Sequence, residues 1–221
     1  MCTPKTTARL VGALFILASA TAIIGGSLLL PIEEPDFLST NAEQTQLATG
    51  AVFEVILAAS VIAIPALLFP VLRRDSEPLA IGYVAVRTLE AVLVLGATTS
   101  ALVMTSLVGT GTTTTIGDLL LTTRDWAVRI GTLVVFGAGA GILNTALLRA
   151  RQVPSWLAWW GLIGGALALL RGVIETYGVE LSGLVATVLT APIGIQEMVF
   201  AVWLIVKGLP SAVPPPVVAR S

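Results

Sequence analysis

Histidine is absent from the 221 residues of this chain, and cysteine occurs once, as Cys2. Without histidine the chain lacks the commonest metal ligand and the commonest general base of enzymes. A single cysteine excludes an internal disulfide and a thiolate cage for a metal ion. We therefore expect neither a metal ion nor another cofactor.

Charge is also scarce. Only 11% of the residues are charged and the net charge is −1, which does not indicate a nucleic-acid partner. The sequence holds no Ser/His/Asp set, no HExxH motif and no paired cysteines. The glycine-rich run "GAGAG" lacks the lysine of a phosphate-binding loop, so it predicts close packing between helices instead.

Apolar residues are abundant: 56% of the chain is hydrophobic and the mean hydropathy is +0.95. A span needs roughly 20 mostly apolar residues. Six runs satisfy this: 8–30, 47–72, 79–108, 126–148, 155–177 and 184–207. They predict an all-α, polytopic bundle of six transmembrane helices. We expect one domain over 1–208 and a disordered, proline-rich tail over 209–221.

Lysine and arginine predict the orientation. If the six helices alternate, one side of the membrane receives Lys5, Arg9, Arg73, Arg74, Arg149, Arg151, Lys207 and Arg220. Both termini are then cytoplasmic, and the protein is a multi-pass protein of the cytoplasmic membrane. A signal peptide ending at "ASA" is the alternative for the first run, but that run continues through "TAIIGGSLLL" and is too long for one.

Charged residues inside the predicted spans are the candidate functional residues. Apart from Arg9 and Lys207 at span ends, there are seven: Glu54, Arg87, Glu90, Arg129, Arg171, Glu175 and Glu197. Each costs ~2.5–3.5 kcal/mol or more at the membrane midplane if it is unpaired, so they should face one another or water. The spacings i,i+3 and i,i+4 predict the pairs Arg87–Glu90 and Arg171–Glu175.

Glu54 and Glu197 have no cation within one turn of their own helices. A buried carboxyl group without a cation tends to remain protonated and can donate a proton where water does not compete. We therefore consider Glu54, Glu197 and Glu90 as candidate catalytic acids. The candidate substrate-binding residues are Phe53, Arg87, Arg129, Arg171, Glu175, Gln196, Phe200 and Trp203. The alternative is that all seven charges form ion pairs that fix helix packing.

Four stretches resemble a broad bacterial family known as domain of unknown function 4386. They are "KTTARLVGALFILASATAIIGG", "GYVAVRTLEAVLVL", "RQVPSWLAWWGLIGG" and "EMVFAVWLIVKG". The likeness covers nearly the whole chain and implies a six-helix membrane protein without an assigned activity. In length, helix count and intramembrane acids the chain is also similar to small bacterial membrane-bound terpene cyclases. That similarity implies cyclisation of a prenylated, lipophilic substrate.

Three hypotheses for function remain, of which we favour the first, with the other two as alternatives. The first is an enzyme that starts cyclisation of a prenyl chain by protonating it, which needs an acid in a dry cavity and aromatic faces for the carbocation. The second is a small transporter coupled to protons or cations, which needs a polar path toward both membrane faces. The third is a non-catalytic subunit, in which all charges are paired and no cavity lies beside them. The expected partners are the lipid bilayer and, for the first hypothesis, a lipophilic small molecule.

Overall fold

A computed structural model describes residues 4–34, 37–39, 44–111 and 113–209. Within these ranges six helical spans are long and apolar enough to cross a membrane, which confirms the predicted all-α, six-span bundle. Cys2, Arg220 and the predicted tail from residue 210 onward lie outside the described residues.

The helices follow the predicted runs closely. They are α1 (Pro4–Leu29), α2 (Gln44–Leu72), α3 (Glu77–Leu107), α4 (Thr114–Arg129), α5 (Phe136–Arg149), α6 (Ser155–Thr176) and α7 (Gly183–Val206). A π-helical segment, Ile130–Val135, joins α4 to α5, so that Thr114–Arg149 forms one long span. Short 3₁₀ turns at Leu30–Glu33 and Phe37–Ser39 follow α1.

The start of the fourth span was predicted wrongly. The polar stretch 109–125 was expected to be a loop, but the helix begins at Thr114. Its apolar residues Leu120 and Leu121 pack against a buried cluster that includes Leu29, Phe37 and Met104. Tertiary packing of this kind outweighs the weak helix propensity of a threonine-rich stretch. The longer helix therefore places additional charged residues within the fourth span.

Neighbouring helices pack in a closed ring. Each span packs on the next along the chain, and α1 packs on α7 to close the ring. The residues at and next to the described cations that were predicted to share one side lie at one end of the bundle. There Lys5 contacts Gly208, Arg9 Nε donates to the carbonyl of Ile205, and Leu72 and Leu209 share one buried cluster. This end is called the terminal face below.

Glycines let the helices approach closely, as the "GAGAG" run predicted for α5. A Cβ on Gly137 would lie 2.7 Å from the carbonyl oxygen of Gly165 on α6. A Cβ on Gly139 would lie 3.3 Å from Val86 on α3, whereas Gly141 faces open space. Close contact between backbones is the usual basis of helix association in lipid.

Candidate functional site

A cavity of about 440 Å³ lies between α1, α2, α3 and α4 with its π-helical extension. Its floor consists of buried residues, among them Leu29, Val94 and Ala97. Its rim carries exposed residues of α1 and of the 3₁₀ turn after it on one side, such as Ala22 and Glu33, and of the fourth span on the other side. The cavity falls in the range of ~300–1,000 Å³ that is typical of small-molecule sites.

Two charged side chains form the polar part of this floor. Arg124 on α4 binds Glu54 on α2 through two hydrogen bonds, Nη2 to Oε1 at 2.5 Å and Nη1 to Oε2 at 3.1 Å. The Thr98 hydroxyl donates to Glu54 Oε2 at 2.7 Å. Both members of the pair are buried, at 8% exposure for Arg124 and 7% for Glu54. A guanidinium and a carboxylate that share two parallel hydrogen bonds form one of the stronger hydrogen-bonded pairs in proteins.

The expectation that Glu54 has no cationic partner was therefore wrong. Its partner lies 70 residues away, in a stretch that was predicted to be a loop. Glu54 thus accepts three hydrogen bonds, two of them from a guanidinium that compensates its charge. The sequence offers one weak indication that Arg124 is the partner of Glu54, namely that it lies near the end of a predicted span. No local spacing connects the two residues.

A second ion-pair group lies next to the cavity and centres on Glu175. Arg171 Nε donates to Glu175 Oε1 at 2.7 Å, which confirms the predicted i,i+4 pair. Arg171 also donates to the carbonyl of Ala186 and to Thr190 on α7, each at 3.2 Å. Arg129, on the cavity rim, approaches Glu175 Oε2 at 3.7 Å. Its side chain is half exposed and lies over the Trp126 ring.

A third group lies deeper in the bundle and contains four more of the candidate residues. Arg87 Nη1 donates to Glu90 Oε2 at 2.9 Å, which confirms the predicted i,i+3 pair. Glu197 on α7 lies with Arg87 at a separate cavity of only about 10 Å³. Phe200 lines the same small cavity and contacts Phe15 edge to face.

The remaining candidate residues lie outside both cavities. Phe53 lies against α1 at Gly25. Gln196 is buried and donates to Asn144 at 3.4 Å and to the carbonyl of Leu157 at 3.3 Å. The Asn144 contact is an interhelical hydrogen bond between α7 and α5. Trp203 packs against the apolar core, and its Nε1 has no acceptor within the described residues.

The site residues thus divide between two locations rather than one. Glu54 and Arg129 lie at the large cavity, whereas Glu90, Glu197 and Arg87 belong to the small one. A buried apolar cluster that includes Val61, Ala91 and Val94 lies on the helices between them. In the described structure Glu54 therefore does not share a site with the other two candidate acids, Glu90 and Glu197.

Comparison with known proteins identifies the family but no characterised relative. No curated protein and no solved structure matches the chain. Residues 10–208 match the family described as "Domain of unknown function (DUF4386)". Because that match covers most of the chain, and because the fold is a six-helix apolar bundle, this multi-pass membrane protein belongs to the DUF4386 family.

Proposed function

We propose that the protein binds a small amphiphilic molecule in the 440 Å³ cavity, with its polar group at the Glu54–Arg124 pair. The observation that carries this proposal is the buried, bidentate pair on the cavity floor, where the other residues are apolar. The further polar lining of the cavity consists of Glu33, Asp125, Arg129 and Thr132. A cavity with apolar walls and a few fixed polar groups is the usual form of a small-molecule site.

The shape of the rim supports an amphiphile rather than a water-soluble ligand. On α1 the rim runs from Glu33, beyond the helix end, to Ala22 in the interior of the span. That distance is roughly 16 Å at a rise of ~1.5 Å per residue. On the other side, the exposed Thr132 lies near the middle of its span. A ligand in this cavity would therefore extend from the polar end of the bundle to the part of the membrane that contains the lipid acyl chains.

Acid-initiated cyclisation is a narrower hypothesis for the same cavity. The apolar wall around Glu54 supports it. Two observations favour simple binding instead: Glu54 is paired with Arg124, and the described lining contains no aromatic ring for a carbocation. Glu197, the other candidate acid, has a cavity too small for a prenyl chain.

Incubation of the purified protein with prenylated indoles tests this enzymatic hypothesis. If the wild type yields no cyclised product, the hypothesis fails. If product forms, Glu54→Gln and Glu197→Gln separate the acid from the bystander, because only the variant that lacks the proton donor loses turnover.

The other two hypotheses receive less support from the geometry. A transporter needs a polar path to both faces, but the large apolar core, with Phe15, Leu68 and Leu147, lies between the buried charges and the terminal face. A purely structural subunit was expected to have no cavity beside its charges, whereas Glu54 and Arg124 line one.

A glycine on the cavity wall allows a direct test of binding. Gly26 lines the cavity, and a Cβ there would meet no atom within 4 Å. Gly26→Leu should therefore fill the cavity without disturbing helix packing. Gly96→Leu is the matched control, because Gly96 also faces open space but lies outside the cavity lining.

Two radiolabelled probes of equal chain length, a prenylated indole and an alkyl phosphate, distinguish the polar group that the site prefers. We expect saturable binding of at least one probe to the wild type. Gly26→Leu should weaken it by about tenfold or more, equivalent to ~1.4 kcal/mol, and Gly96→Leu should bind as the wild type does. Absence of saturable binding, or an equal loss in both variants, would contradict the proposal.

A further inference from the structure

The small cavity between α1, α3, α5 and α7 contains an imbalance of charge. Arg87 is 4% exposed and Glu90 is 6% exposed. Their single ion pair satisfies one cation and one carboxylate. Glu197 adds a second carboxyl group from α7 on the far side of the cavity. The site therefore holds two carboxyl groups and one cation.

Three polar groups around this cavity have atoms without a hydrogen-bond partner. Arg87 Nε is buried and has no acceptor within the described residues. In the same part of the chain, the Glu197 carboxyl group and the Tyr83 hydroxyl form no hydrogen bond with another residue. The volume of about 10 Å³ is near the smallest space that holds one water molecule. A water there would have three polar partners, since it could accept from Arg87 and donate to Glu197 and Tyr83.

No other cation in the described structure compensates the second carboxyl group. The element α1 contributes Phe15 to the cavity, and α5 contributes Phe136 and the neutral Asn144. The ionisable groups that face Glu197 are Tyr83, Arg87 and Glu90, all on α3. Glu197 itself is partly buried, on a helix long and apolar enough to span the membrane. An unpaired carboxylate at such a position is costly, and a proton removes that cost.

We propose that this cavity is a proton-binding site in which Glu197 holds one proton as a neutral carboxylic acid beside the Arg87–Glu90 pair. The site joins α3 and α7, which face each other across the ring. Loss of the proton would place two carboxylates against one guanidinium in the centre of the bundle. Glu197 is thus distinct in role from Glu54, whose charge is matched by Arg124. This proposal is independent of amphiphile binding at the large cavity.

Infrared spectroscopy of the full-length protein in lipid tests the proposal, because a protonated carboxyl group has a C=O stretching band that a carboxylate lacks. At neutral pH the wild type should show this band, and labelling of glutamate with ¹³C should shift it. Glu197→Gln should abolish the band. Glu54→Gln and Glu77→Gln should retain it, since Glu54 is paired and Glu77 lies at the exposed start of α3.

A second variant keeps the test decisive if Glu197→Gln does not fold. Glu197→Asp retains an acid at the site, but its band should no longer shift when only glutamate is labelled. A wild-type spectrum without a protonated glutamate band overturns the proposal. Persistence of the band in Glu197→Gln, or of its glutamate-label shift in Glu197→Asp, overturns it equally.

Discussion

Arg124 on α4 and Glu54 on α2 are 70 residues apart in the sequence, yet they form two parallel hydrogen bonds in the bundle interior. The pair connects the fourth span to the second across one side of the large cavity. The bilayer interior supplies little competing water, so each charge depends on the other for solvation. This dependence leads to the first prediction.

Arg124→Leu should lower the free energy of unfolding by about 3–5 kcal/mol, because it leaves the Glu54 carboxylate buried and unpaired. Glu54→Leu should cost a similar amount. The double variant should be markedly more stable than the sum of the two losses implies, since no charge remains without a partner. Reversible unfolding in mixed detergent micelles, followed by circular dichroism, measures all four proteins. Strict additivity would show that the pair does not exist.

Thr98 should contribute to the same site through its hydroxyl group. Thr98→Val keeps the shape of the side chain but removes the 2.7 Å hydrogen bond to Glu54. We expect a loss of about 1.5–3 kcal/mol, the usual value for a hydrogen bond to a charged group. Thr98→Ser retains the donor and is the control. An equal loss in both variants would assign the effect to packing of the methyl group instead.

The two arginines that share Glu175 should differ in importance. Arg171 is bonded to Glu175 at 2.7 Å and also to α7, whereas the Arg129 side chain is half exposed and lies 3.7 Å away. Arg129→Ala should therefore cost no more than ~1 kcal/mol, as exposed ion pairs do. Arg171→Ala should cost about 3–5 kcal/mol, because it leaves the buried Glu175 without its closer partner. The measured free energies of unfolding of the two variants test this prediction. A larger loss for Arg129→Ala than for Arg171→Ala would contradict it.

The "GAGAG" run offers a matched test of helix packing. Gly137→Ala places a Cβ 2.7 Å from the Gly165 carbonyl oxygen and 2.9 Å from the Leu169 amide nitrogen, so the backbones of α5 and α6 must separate. We expect a loss of about 1–3 kcal/mol from this overpacking. Gly141→Ala, in the same run, meets no atom within 4 Å and should be neutral or stabilising by up to ~1 kcal/mol through helix propensity. Thermal denaturation compares the two, and equal effects would contradict close packing at Gly137.

The short-range features of the candidate site could be predicted from the sequence. Arg87–Glu90 and Arg171–Glu175 lie three and four residues apart, and a helix places such residues on one face whatever its neighbours are. The six spans follow equally from the length of apolar sequence that a membrane requires. Both results depend on distances along a single helix.

The arrangement of helices was decided by the tertiary structure alone. Whether Glu54 meets a cation depends on which helix packs beside α2 and in what register, and the sequence near Glu54 contains no signal for Arg124. The continuation of the fourth helix back to Thr114 likewise depends on packing against α3 and the turn after α1. Local sequence determined how many helices cross the membrane and which charges share a face. Only contacts between distant helices decided that Glu54 is paired and that Glu197 forms no ion pair within the described residues, because charge compensation in a bilayer depends on distance in space.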